Sequence, residues 1–179
     1  MLKLERKLND KTAVVGVVGL GYVGLPLAVA FSHAGFKVVG FDIQQKRVDL
    51  VNKGQSYIVD VGGDILSVAV ANNLLEATTD QGRLKEVDAI CICVPTPLTK
   101  TKEPELSYVI YESEEISKHL QPGQLVVLES TTYPGTTSEV MLPILERSGL
   151  KGGHDFHLAY SPERVDPGSK NYSRQTSLP

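Results

Sequence analysis

Apolar residues fall along this chain in short blocks that alternate between continuous runs and spaced stripes. A continuous run of four to six apolar residues bounded by turn residues reads as a buried strand, whereas apolar positions recurring every three to four residues read as a helix. The runs AVVGVV at 13–18 and KVVGFD at 37–42 are of the first kind, and the segment between them, closed by Gly35, is of the second. The pattern therefore predicts strand 13–18, a helix near 22–34, strand 37–42 and a helix near 44–53 that ends at Gly54. Pro26 falls in the first turns of its helix, where a missing N–H costs least. Residues 55–63 carry no period and read as irregular; helix 64–73, a short strand at 75–77, a brief helical piece at 81–85 and strand 88–94 follow.

Beyond these, the spacing predicts a helix over 105–120 with Leu106, Val109, Ile110, Ser113, Ile116 and Leu120 on one face. Glu112, Glu114 and Glu115 are read as its solvated side. After strand 125–128, Thr136 and Glu139 fit a capping box for a helix carrying Val140, Met141, Ile144 and Leu145, which Pro143 should kink or start later. A last strand lies at 156–160, and residues 169–179 are polar without periodicity. Strands alternating with helices specify an α/β fold, a doubly wound, mostly parallel sheet with helices on both faces. One domain over 1–168 followed by a polar tail over 169–179 is expected, the tail opening a connection to a further domain.

The junction of the first strand and first helix reads Gly19-Leu20-Gly21-Tyr22-Val23-Gly24. In a strand–turn–helix context, Gly19 permits the sharp turn, Gly21 lets the backbone approach a pyrophosphate, and Gly24 lets helix and strand pack closely. The helix N-terminus behind the turn supplies unpaired N–H groups and the positive dipole end. No Gly-Lys-Ser/Thr follows, which excludes a mononucleotide P-loop. The second strand ends in Asp42, 18 positions after Gly24, close to the roughly 20-residue spacing of a ribose-binding carboxylate. A carboxylate there accepts from both ribose hydroxyls and repels a 2′-phosphate, so NAD is favoured over NADP. The fold expected is thus Rossmann-like.

The 179 residues suffice for one core, and the net charge of −3 with Lys and Arg scattered argues against nucleic acid as a partner. No apolar run approaches the roughly 18 residues of a bilayer span, and the first ten residues lack a signal-peptide core, so the expected compartment is the cytoplasm and no membrane partner is expected. Cys91 and Cys93 lie two apart in one strand, on one face, and read as small buried hydrophobes. His33, His119, His154 and His157 show no metal-ligand spacing with them, so no metal is expected.

Three further loops follow strands and should open on the edge where ligands bind in open α/β sheets. They contain Pro95-Thr96-Pro97, Glu129-Ser130-Thr131 and Ser161-Pro162-Glu163. Hydroxyls at Thr96 and Thr131 suit hydrogen bonds to cofactor ribose or phosphate, and Glu163 suits a general base.

Taken in order, GLGYVGLPLA (19–28), FDI with RV five residues beyond its Asp (41–48), VPTP (94–97), ESTTYPGTT (129–137) and SPERVDPG (161–168) resemble the nucleotide-sugar 6-dehydrogenases. The wording of the loops is most similar to the branch acting on UDP-N-acetylhexosamines, UDP-N-acetylglucosamine 6-dehydrogenases among them. The resemblance implies oxidation of a UDP-sugar C6 alcohol to the carboxylate with two NAD, through a cysteine thiohemiacetal and thioester, in polysaccharide biosynthesis. It further implies that Val23 and the rest of the glycine turn, Tyr22 included, contact the pyrophosphate. Asp42 and Arg47 hold the adenosine ribose, Thr96 and Thr131 border the cofactor, and Thr131 helps position the hydrolytic water. Glu163 becomes the acid–base residue, with Arg164 and Val165 lining the sugar-nucleotide site. A homodimer is implied for the full-length enzyme. The family's catalytic lysine, asparagine and cysteine come later in the chain than residue 179, so NAD binding without turnover is expected here. The alternative reading is an NAD(H)-sensing regulatory module, which needs the glycine turn and Asp42 but not the other three loops.

Overall fold

The computed structural model describes residues 2–97 and 104–162. Its centre is one six-stranded sheet, all parallel, of strands β1 (Val14–Val18), β2 (Lys37–Phe41), β3 (Leu75–Thr78), β4 (Ala89–Ile92), β5 (Leu125–Leu128) and β6 (His157–Tyr160). Their spatial order is β3-β2-β1-β4-β5-β6. The chain reverses its direction of travel across the sheet at β1, between β2 and β4, and this switch point is where a doubly wound sheet leaves a crevice at its carboxyl edge. The fold is Rossmann-like.

The strands' period of two divides the core. Val15 and Val17 of β1, Val38 of β2, and Cys91 and Cys93 pack with Leu25, Leu27, Ala28, Val48, Val51 and Leu66 on one face. These last come from helices α2 (Gly24–His33), α3 (Gln45–Asn52) and α4 (Gly63–Ala71). Val18, Phe41, Ile90, Ile92 and Leu128 point to the other face, against Leu84, Val109, Ile116, Met141 and Leu145. There the cover is α5 (Ser107–His119), a 3-10 turn over Gln81–Glu86 and α6 (Leu142–Leu145). Each such aliphatic side chain removed from water contributes about 1.5–3 kcal/mol, which makes this two-sided burial the main stabilising term.

A helix not foreseen in the sequence, α1 (Leu2–Asn9), docks by Leu4 and by Lys7, whose Nζ lies 2.5 Å from Asp88 at the entrance to β4. The same carboxylate accepts the Val14 amide at 3.0 Å. On the outer edge, Asn52 pairs its side-chain amide with both backbone groups of Ala77, at 2.9 and 2.7 Å. That contact occupies hydrogen-bonding groups an edge strand would otherwise offer to another chain.

Two expectations require correction. The capping box at Thr136 does not form, because Gly135, with φ of +93°, takes the position before the helix and has no side chain to cap it. Thr136 is instead buried inside a π-helical turn, Thr136–Met141, donating to the Tyr133 carbonyl at 2.9 Å and sharing a 2.5 Å contact with Thr132. Pro143 lies in the first turn of α6, so it moves the start of the α-helix, as one of its two expected effects. Glu112 is the second correction: it is buried, whereas Ile110, expected on the inner face, is exposed. Positions 109, 112, 113 and 116 are one helical stripe, and the carboxylate at 112 sits on it despite its charge.

Candidate functional site

Four strand ends set the frame. The β1–β2 ladder continues into the turn through Gly19 N–H to the Phe41 carbonyl (2.8 Å), and β4 continues through Cys93 N–H to Val18 (2.8 Å). Glu129 N–H reaches Ile92 (2.9 Å), and Ser161 N–H reaches Leu128 (2.9 Å). The glycine turn, the loop after β4, the loop after β5 and the start of the loop after β6 therefore leave the sheet side by side at one edge.

Within the turn, the three glycines do different things. Gly19 has φ of +88°, and a Cβ on it would lie 2.9 Å from the Cys93 carbonyl oxygen. A Cβ on Gly24 would sit 1.8 Å from the Gly19 carbonyl oxygen, so glycine here is a condition of the turn closing on its own helix. A Cβ on Gly21 would meet nothing within 4 Å. The surface over Gly21 is thus open backbone at the start of α2, where the Leu25 amide bonds back to the Gly21 carbonyl at 3.1 Å and the Leu27 amide to Val23 at 3.2 Å. A dinucleotide pyrophosphate fits this cradle, since it needs bare backbone beside a helix N-terminus. Tyr22 is exposed on the rim, and Val23, the residue before α2, is partly buried against the core.

Asp42 closes the other side of the turn. Its side chain is 3% exposed, yet each oxygen has a partner. Oδ2 accepts from the Leu20 amide at 3.0 Å and from Arg47 Nη1 at 3.2 Å, and Oδ1 accepts from the Gln44 amide at 2.9 Å. Arg47 lies over the ring of Tyr57, 5.9 Å from its centroid, and the Tyr57 hydroxyl donates to the Leu20 carbonyl at 2.6 Å. Burial, reinforced by the charge of Asp42 and opposed by Arg47, pushes the Tyr57 phenol up to about 12, so it stays a protonated donor. Glycine turn, Asp42, Arg47 and Tyr57 form one connected unit.

The two threonine loops are also joined. Ser130 is buried, and its hydroxyl donates to the Val94 carbonyl at 2.7 Å, which ties the loop after β5 to the loop after β4. Thr96 is half-buried and Thr131 exposed, each within two residues of that tie. Behind them, Cys93 Sγ lies 3.8 Å from Glu129 Oε2. Cys91 and Cys93 are buried on one face, as expected from their spacing, although Cys93 faces a carboxylate rather than only apolar neighbours. Glu163, Arg164 and Val165 lie outside the described residues. The sequence reading passed over Tyr57, because a single tyrosine in an aperiodic stretch carries no spacing signal.

A family model for the NAD-binding domain of the UDP-glucose/GDP-mannose dehydrogenase family matches residues 13–177. The chain belongs to that family. The cofactor of the family domain is NAD. Among similar proteins, a UDP-N-acetyl-D-glucosamine 6-dehydrogenase of Pseudomonas aeruginosa is 42% identical over 163 residues, covering 90% of this chain and 38% of that protein. A UDP-N-acetyl-D-mannosamine dehydrogenase of Campylobacter jejuni is 45% identical, covering 86% of this chain and 39% of its own length. The crystal structure of an NDP-N-acetyl-D-galactosaminuronic acid dehydrogenase from Methanosarcina mazei superposes with a TM-score of 0.82 at 38% identity, over 93% of this chain and 38% of that one. The chain thus spans under two fifths of the length of each of these three relatives. Among the described residues no helix is long and apolar enough to cross a membrane.

Proposed function

We propose that this chain is the cofactor-binding part of a dehydrogenase that oxidises the C6 alcohol of a UDP-N-acetylhexosamine to the uronic acid with two NAD. The observation that carries this reading is the shared edge: a dinucleotide turn, a buried carboxylate beside it, and two hydroxyl-bearing loops tied together by Ser130 and Val94. A module that only sensed NAD(H) would need the first two features and not the threonine loops. The branch is favoured by relatives whose names specify N-acetylated UDP-sugars.

In this reading NAD, when bound, accepts the hydride. The chain's own residues bind and orient it. The turn at 19–24 holds the pyrophosphate with backbone amides, Asp42 and Arg47 hold the adenosine ribose, and Thr96 and Thr131 border the cofactor. Thr131 helps to place a water, Glu163 serves as acid and base, and Arg164 and Val165 line the sugar-nucleotide site. Both cysteines of these 179 residues are buried on the sheet, and neither is accessible enough to serve as the nucleophile of a thioester route. The chain alone therefore binds NAD without turnover. Calorimetric titration with NAD, followed by incubation with NAD and UDP-N-acetylglucosamine while NADH absorbance is monitored, tests both halves. Heat of binding with no NADH is the expected result. NADH formed by this chain alone would overturn the second half, and no binding would overturn the first.

A further inference from the structure

The stretch at 55–63 carries no periodic signal, yet the structure pins it firmly. Gly54, with φ of +68°, turns the chain out of α3 so closely that a Cβ would meet the Ser67 Cα at 2.8 Å. Ser56 closes a local turn, its hydroxyl accepting from the Ile58 amide at 3.1 Å and donating to the Ile58 carbonyl at 2.9 Å. Ile58, within that turn, and Val61, just after it, are buried in the core. The rigid result delivers one side chain, Tyr57, to the space between the glycine turn and Arg47.

Tyr57 touches both parts of the adenosine-side site without belonging to either. Its hydroxyl holds the Leu20 carbonyl while Asp42 holds the Leu20 amide, so the peptide groups flanking the second residue of the turn are fixed from two directions. Its ring lies under the Arg47 guanidinium, whose Nη1 is paired with Asp42. A loose arginine beside a ribose 2′ position would welcome a phosphate there, because arginine is the residue that accommodates the 2′-phosphate of NADP. An arginine seated on an aromatic face and paired with a carboxylate has its charge already engaged.

We propose that Tyr57 is a positioning residue that enforces the preference for NAD over NADP, by keeping Arg47 engaged with Asp42 and by presetting the glycine turn through Leu20. This rests on the reading that the turn at 19–24 binds NAD. The two contacts separate by substitution. Tyr57→Phe removes the hydroxyl and keeps the ring, so NAD binding weakens roughly five-fold, the scale of one lost hydrogen bond, with the NAD-to-NADP ratio unchanged. Tyr57→Leu removes the ring as well, so that ratio shrinks by roughly three- to thirty-fold, the scale of a cation–π contact. Arg47→Met in the Tyr57→Leu background cancels the gain in NADP binding.

The experiment is titration of the 179-residue chain and these variants with NAD and with NADP, alongside thermal unfolding without ligand. A tyrosine that only braced its loop would, in Tyr57→Leu as in Tyr57→Phe, lower the unfolding midpoint and weaken both dinucleotides by the same factor. That outcome, or variants that match the parent chain in both affinities, overturns the proposal. If Tyr57→Leu does not fold, Tyr57→Met removes the ring in its place and must shrink the ratio over the same range. Failure of the parent chain to bind NAD at all would instead overturn the reading of the turn, and is recognisable without any variant.

Discussion

The Asp42 carboxylate accepts the Leu20 amide at 3.0 Å, across 22 residues of sequence, so the end of β2 and the glycine turn after β1 are one rigid piece. A single side chain thus fixes the turn, and in the proposed reading it also supplies the negative charge beside the ribose. Asp42→Asn keeps the shape and loses the charge, and its amide nitrogen accepts nothing, so whichever way it turns it strands either the Leu20 and Arg47 donors or the Gln44 amide. The expected result is an NAD dissociation constant higher by about ten- to a hundred-fold, since hydrogen bonds to a charged group carry roughly 1.5–3 kcal/mol. Calorimetric titration checks this, and unfolding in denaturant should show a loss of about 1–3 kcal/mol in the same variant.

Gly21 and Gly24 predict opposite behaviour although they stand three residues apart. Alanine at 21 meets nothing within 4 Å, so its stability should stay within about 0.5 kcal/mol of the parent. Its methyl group occupies the cradle, however, and NAD binding should be lost. Alanine at 24 drives a methyl group into the Gly19 carbonyl, so both stability and binding should fall, stability by about 3 kcal/mol or more. Thermal unfolding with and without NAD separates the two. A Gly21→Ala chain that still responds to NAD would argue against pyrophosphate over this glycine.

Most of this architecture was legible because it depends on local patterns. Five apolar residues in a row at β1, glycines with positive φ closing α2 and α3, and an acid at the end of β2 are signals that need no tertiary context. The strands, most of the helices and the parallel sense of the sheet follow from those signals. What remained hidden depends on contacts distant in sequence. Tyr57 matters because of Leu20, 37 residues away, and Asn52 because of Ala77, 25 away. The capping box failed because Ser/Thr-x-x-Glu is a permissive pattern, and a left-handed Gly135 immediately before it decides where the helix begins. Glu112 was assigned to solvent on charge alone, although the helical period of its neighbours places it inward.

Gln124 offers a test of the scaffold apart from the site. It is buried, its Nε2 donates to the Leu84 and Val87 carbonyls at 2.8 and 2.6 Å, and its Oε1 accepts the Gln121 amide at 2.7 Å. This one side chain ties the 3-10 turn before β4 to the turn before β5. Gln124→Met fills similar volume and strands those partners, which should cost about 2–3 kcal/mol in equilibrium unfolding. NAD affinity should be unchanged well below the unfolding midpoint, because the contact lies at the amino ends of the strands, away from the glycine turn.

Glu112 makes stability depend on pH in the direction opposite to most carboxylates. Burial, with the negative charges of Glu115 and Asp42 adding to it, pushes its carboxyl up from 4.5 to about 7, and Oε2 has no hydrogen-bond partner among the described residues. Between those two values the folded chain holds a proton that the unfolded chain has released. Stability therefore falls as pH rises through this window, and the loss is complete above about 7. A shift of this size corresponds to a penalty on the order of 3 kcal/mol at neutral to alkaline pH. Glu112→Gln cannot ionise, so it should match the parent near the acidic end of the window and exceed it at about pH 8, with a flatter profile between. Denaturant unfolding of both chains across this range measures the difference directly, and parallel profiles would show that Glu112 is ionised and satisfied in the folded protein.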